Sequence, residues 1–102
     1  MRYLPTGDEF GADEAYRLGL VQAVTEPGEQ LEVAISLAER VAVQAPLAVQ
    51  TVLQSSRLVE TEGVEKAVSQ LGPMQQKLLQ TEDVQEGLQA FLERREARFR
   101  GR

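Results

Sequence analysis

The chain has 102 residues, eleven Lys and Arg against sixteen Asp and Glu, and a formal net charge of −5, which is room for one small domain with one modest core. It contains neither Cys nor His, so disulfides, thiol catalysis, cysteine–zinc sites and any Ser-His-Asp or Cys-His device are excluded within the chain. The acidic balance argues against binding to phosphate backbones, and no run approaches the roughly 18 apolar residues of a membrane span; the expectation is a soluble, cytoplasmic protein with no nucleic-acid and no membrane partner.

Tyr3–Thr6 reads as a short extended stretch, punctuated by Pro5 and stopped at Gly7. Beyond it, Ala12, Ala15 and Tyr16 share one helical face, with Asp13 and Glu14 in the first turn where the helix dipole favours negative charge. Gly19 fits the left-handed residue that ends a short helix. Leu20–Val24 alternates apolar and polar at strand period and is bounded by "EPG". Residues 1–28 are therefore expected to form a short strand–helix–strand segment.

Residues 29–102 read as a helical module. Leu31, Ala34, Ile35, Ala38, Val41 and Ala42 follow the i, i+3, i+4, i+7 pattern of an amphipathic helix from about Glu29. That helix ends at "QAP", because Pro46 disfavours helix at Ala45 and can itself open the next one. The next, about Pro46–Thr61, carries Ala48, Val49, Val52 and Val59 on one stripe, with the small pair Ser55-Ser56 allowing close approach. Gly63 is a joint. Val64, Ala67, Val68 and Leu71 continue in a helix that Pro73 should kink or restart, since an interior proline costs about 3 kcal/mol. Thr81 is a plausible N-cap followed by Glu82 and Asp83, and the last helix is expected to run to about Arg98, burying Val84, Leu88, Phe91, Leu92 and Phe99. The scarcity of aromatics, 5% with no Trp, suits a Leu, Val and Ala core. The fold class expected is mainly α.

The charge is uneven. Glu93–Arg102 hold five of the eleven basic residues and two of the sixteen acids, a local +3 that leaves −8 on the first ninety-two residues. Either this tail balances the chain's own surface, or it meets an anion. The acid pairs Asp8-Glu9, Asp13-Glu14 and Glu82-Asp83 lie at helix starts and read as solvated, dipole-compensating groups rather than an acid–base device. Gly7 and Gly11 bracket "DEF", whose acids would repel phosphate, so these glycines read as turns. On helical spacing Phe91 joins the apolar stripe, Arg95 falls along it, and Arg94 and Arg98 point elsewhere together. An aromatic beside a guanidinium cluster suits an adenine–phosphate ligand through stacking and bidentate pairing.

"LPTGDEFGADEAYRLGLVQAV", followed by "EPGEQL", "LAERVA" and "AP" in that order, resembles the C-terminal portion of the crotonase (enoyl-CoA hydratase/isomerase) superfamily. The closing "TEDVQEGLQAFLERREARF" is similar to that family's last helix, whose usual form is S/T-E-D, EG, AF, KR and F at this spacing. The resemblance spans essentially the whole chain. It implies a crotonase-like fold's helical C-terminal module, contributing to oligomerisation as a dimer or trimer and to the acyl-CoA pocket. The parent reaction implied is addition of water to a 2-enoyl-CoA or a related enolate step, with coenzyme A thioester as substrate and no cofactor or metal. No position here matches the family's catalytic glutamates, so no catalytic residue is assigned and no turnover is expected from the chain alone. Phe91 of "QAF" and Arg94 of "ERR" match the positions that give the family an aromatic and a basic residue at the CoA adenine and phosphate; the family commonly has Lys where Arg94 stands. The rival reading is a stand-alone helical protein-interaction module without enzymatic activity.

Overall fold

The computed structural model describes residues 2–102. Among the described residues six helices follow in order: α1 Tyr3–Thr6, α2 Ala12–Arg17, α3 Gln30–Ala42, α4 Pro46–Glu62, α5 Val64–Leu79 and α6 Glu82–Glu93. Two compact units are present, Met1–Leu37 and Ala38–Arg102. The mainly α expectation holds; no strand forms among the described residues.

The strands expected at either side of α2 are corrected. Tyr3–Thr6 closes into a helical turn, because Gly7 at φ 69° lets its N–H donate to Tyr3 O at 2.9 Å and the Thr6 hydroxyl reaches Arg2 O at 3.1 Å. Pro5 does not oppose this, since first-turn N–H groups have no helical acceptor to lose. Leu20 is taken up in capping α2: its N–H reaches Ala15 O at 2.9 Å, while Gly19, at φ 75°, donates to Tyr16 O at 3.0 Å. These two bonds form the Schellman end that the glycine signalled. With Leu20 in the cap, residues 20–24 have no neighbouring strand to pair with, and alternation alone cannot make one.

In the second unit, α4 and α5 form a helical hairpin joined by the single residue Gly63. Gly63 lies at φ 87°, ψ 168°, a region essentially reserved for glycine. No atom lies within 4 Å of a Cβ built there, so Gly63→Ala is penalised by its backbone alone. The hairpin should lose roughly 1–3 kcal/mol, read as a lower urea midpoint. Pro73 sits inside α5 and the helix continues through it without a restart. Gly72 explains part of this tolerance: with no Cβ, it removes one of the clashes that normally push a pre-proline residue out of the helical region.

Buried apolar side chains are few. Ala67 of α5 and Ala90 of α6 are the buried apolar residues among those described. Most large apolar residues of the expected stripes, Leu31, Val41, Val52, Val64 and Val68 among them, are more than half exposed. The helices form where periodicity puts them, but most of their apolar faces stay uncovered.

The last eight residues depart furthest from expectation. Rather than continuing as helix to Arg98, the chain leaves α6 after Glu93 and returns along it without regular structure. Phe99 turns toward Gly87, and Gly101 lies against Pro46 at the start of α4; a Cβ on either glycine would sit 3.5 Å from these neighbours. That distance is ordinary contact, so Gly87→Ala keeps the Phe99 contact and adds helix propensity. We expect a gain of roughly 0.5–1 kcal/mol in stability by chemical denaturation.

Candidate functional site

The turn after α6 is built around three carboxylates of that helix. Asp83, 4% exposed, accepts the N–H of Arg100 at 2.7 Å and of Gly101 at 2.8 Å, and its own N–H donates to Arg102 O at 3.2 Å. Glu86 accepts both Nη groups of Arg95, at 2.6 and 3.0 Å, and the backbone N–H of Arg98 at 2.8 Å. Glu82 pairs with Arg102 at 2.8 Å. The pair Glu82-Asp83 is thus not a solvated dipole compensator: one acid is buried and both hold the tail. Thr81 caps the helix as its sequence suggested, its hydroxyl oxygen accepting from Val84 N at 3.3 Å.

The electrostatics follow from these bonds. Arg95, and after it the Arg98 N–H, hold the Glu86 carboxyl down at about 2. Glu86, with Glu93 joining at 2.6 Å, pushes the Arg95 guanidinium higher still. Glu93 is in turn lowered, by Arg95 first and then by Gln89. All three are charged at neutral pH.

Helix termination here has no local signal. Arg94 lies at φ 53°, ψ 43°, the one non-glycine residue of positive φ among those described. Its N–H donates to Phe91 O at 3.3 Å, and the next N–H, of Arg95, reaches Ala90 O at 3.0 Å. This is the same capping pattern that Gly19 gives α2, made by a residue for which the left-handed region costs about 1–2 kcal/mol.

Consequently the predicted buried stripe is corrected. Phe91 and Leu92 are 81% and 80% exposed, and Leu88 is exposed as well. The tail docks on the side of α6 that carries Asp83, Glu86, Gly87 and Ala90, and the Phe91 side receives no cover. Arg95, expected along the Phe91 stripe, is drawn away to Glu86. The structure does bring Phe91 and Arg94 into one turn, both exposed, and Arg94 has no ion-pair partner among the described residues.

The basic tail therefore divides. Arg95 and Arg102 balance acids of α6, whereas Arg94, Arg98 and Arg100 carry unpaired charge among the described residues. An open cleft of about 710 Å³ runs along the tail, lined by residues including Glu82, Glu86, Glu96, Arg98 and Arg100. Neither Phe91 nor Arg94 lines it, and its mixed charge suits no single ligand sign. No group of acids has the arrangement of a metal site among the described residues.

In the first unit, Glu14 departs from the solvated reading too. It accepts Arg17 Nε at 2.5 Å and Tyr3 Oη at 2.6 Å, which hold its carboxyl at about 2, and the bond to Glu14 in turn raises the Tyr3 phenol. Arg2 lies over the Tyr3 ring at 5.3 Å and pairs with Asp8 at 3.3 Å. No helix of the described residues is long and apolar enough to cross a membrane.

Comparison with known proteins bears on the whole chain. The family model for enoyl-CoA hydratase/isomerase matches residues 1–102. The (E)-benzylidenesuccinyl-CoA hydratase of Thauera aromatica is 41% identical over 101 residues, covering 99% of this chain and 40% of that protein. The crotonyl-CoA hydratase of Syntrophomonas wolfei is 36% identical over 100 residues, covering 94% and 37%. Among solved structures, a probable enoyl-CoA hydratase/isomerase from Mycobacterium abscessus superposes with a TM-score of 0.92 at 45% identity, over 100% of this chain and 40% of that one. The chain thus spans about 40% of the length of the relatives it matches. With a helical fold shared at that closeness and a family match from end to end, the chain belongs to the enoyl-CoA hydratase/isomerase family.

Proposed function

We propose that this chain is the C-terminal helical module of an enoyl-CoA hydratase/isomerase-family protein, and that it supplies binding groups for acyl-CoA while the groups that act on the acyl chain lie outside it. The parent reaction is addition of water to a 2-enoyl-CoA, the chemistry that relatives such as the crotonyl-CoA hydratase carry in their names. Phe91 and Arg94 serve the adenine and phosphate end of coenzyme A. One observation carries this reading: an aromatic ring left 81% exposed in the same helical turn as a guanidinium with no ion-pair partner among the described residues. A bare aromatic of that size is costly to expose unless something stacks on it. An adenine supplies the stacking surface, and a phosphate the bidentate partner for arginine.

Coenzyme A titrated against the chain tests this. Phe91→Ala and Arg94→Ala should each weaken binding about tenfold, the loss expected when one contact worth ~1.4 kcal/mol is removed. Arg94→Lys should fall between, keeping the charge but not the forked geometry. Equal binding by all variants would contradict the pocket.

The uncovered apolar face of α6, Leu88, Phe91 and Leu92, also supports self-association as a dimer or trimer, in a cytoplasmic setting. Light scattering on the purified chain is expected to give a multiple of the 11.3 kDa monomer mass. A sharply melting monomer that ignores coenzyme A would favour the rival, a stand-alone interaction module.

A further inference from the structure

Glu86 accepts three hydrogen bonds, and all three come from residues on the far side of the turn that ends α6: two from the Arg95 guanidinium and one from Arg98 N–H. That turn runs through Arg94 in the left-handed region, where a β-carbon is unwelcome. Residues 86–98 offer no glycine or asparagine after Gly87 to ask for a stop there. The apolar spacing of Leu88, Phe91 and Leu92 instead favours helix through Arg95 and beyond. In a continued helix Arg95 would lie one turn above Phe91, at i+4, on the same face. In the observed turn Arg95 is tied to Glu86 and Glu93, and of the two adjacent arginines Arg94 is the one without an ion-pair partner among the described residues.

Resting on the reading of Phe91 and Arg94 as coenzyme A ligands, we propose that Glu86 is a positioning residue: by holding Arg95 and the Arg98 N–H, it ends α6 at Glu93 and determines which arginine stands free beside Phe91. Its carboxylate offsets the strain at Arg94 with charge-assisted hydrogen bonds, which are about twice as strong as neutral ones. It touches no ligand itself. Asp83 holds the more distant Arg100 and Gly101, so the tail has a second anchor that survives loss of Glu86.

The test separates the turn from the ligand. In Glu86→Gln, the backbone chemical shifts of Arg94 should move from left-handed to helical values, while the Phe99 ring remains against Gly87. Coenzyme A should bind about tenfold more weakly, as expected if the competent turn is about one tenth populated. In Glu86→Gln combined with Arg94→Gly, the glycine should restore the left-handed turn without restoring affinity. Arg95→Gln, which removes the pair from its other side, should behave as Glu86→Gln does. The proposal is overturned if Glu86→Gln leaves the Arg94 shifts unchanged, if it binds coenzyme A as tightly as the unaltered chain, or if both single variants lose α6 altogether, since the role would then be merely structural. The Arg94 shifts are read without ligand. Failure of the coenzyme A reading, seen as indifference to Phe91→Ala and Arg94→Ala, is therefore distinguishable from failure of the turn.

Discussion

Asp83→Ala is expected to free the C-terminal segment from α6 and to lower the stability of the second unit by roughly 2–4 kcal/mol, since bonds to a charged acceptor contribute about 1.5–3 kcal/mol each. The carboxylate is 4% exposed and receives two backbone N–H groups, of Arg100 and Gly101, that have nothing else to donate to in the docked state. Truncation leaves two choices, both unfavourable. The part-buried amides remain without a carboxylate acceptor, or the tail peels away and Phe99 loses its seat against Gly87. Asp83→Asn should cost less, because the amide oxygen can still accept one of the two bonds. Urea denaturation gives the magnitude. Hydrogen exchange at Arg100 and Gly101 gives the location, which should accelerate well before the amides of α4 and α5 do.

Acid should undo the neighbouring turn at Arg94 through a different group. The Glu86 carboxyl is held at about 2 in the folded chain, against an ordinary value of 4.5, by Arg95 first and the Arg98 N–H second. A carboxyl depressed on folding stabilises the fold fully above its unfolded value, and that contribution is lost as pH falls toward the folded value. The population of the left-handed turn at Arg94 should therefore be flat from neutral pH to about 5 and decline between 4.5 and 2. The groups facing Glu86 are Arg95, the Arg98 N–H and, through Arg95, Glu93. Arg95 stays charged throughout, and Glu93 is lowered as well, which reinforces the same direction. Glu14 shows the same depression in the first unit. The two are separated by following the Arg94 backbone shifts for the turn and the Tyr3 ring for Glu14. Glu86→Gln should remove most of the acid dependence at Arg94 and leave that at Tyr3 unchanged. An Arg94 turn that stays left-handed at pH 2 in the unaltered chain would contradict the assignment.

These expectations depend on residues whose roles were unequally legible in the sequence. Helices α3 to α6 could be placed because apolar spacing and punctuation agree locally: Pro46 opens α4, Gly63 closes it, and Thr81 caps α6. Gly19 announced its own left-handed turn. The front strands misled because alternation over Leu20–Val24 has the right period, yet a strand exists only with a partner, and Leu20 is spent on a helix cap.

The end of α6 was illegible for a related reason. Its stop is made at Arg94, a good helix former, by acids nine to eighteen residues from the groups they bind. Nothing in a local window distinguishes Glu86 from a solvated helical glutamate. The family resemblance names Phe91 and Arg94 as a pair, and the structure leaves both exposed in one turn by a backbone path that helical spacing does not foresee. Burial was the least legible of all. Periodicity says which face is apolar, and only packing says whether anything lies on it.

On the proposed reading labour is divided: groups of this chain grip coenzyme A, and those that transform the acyl chain lie outside it. Hydration of crotonyl-CoA by the purified chain, followed as loss of enoyl absorbance at concentrations where coenzyme A shifts the Phe91 ring, tests it most directly. The predicted result is ligand-induced shifts at Phe91 and Arg94 with no turnover above the uncatalysed rate. Sustained turnover by the chain alone, abolished by substitution of one of its own carboxylates, would contradict it.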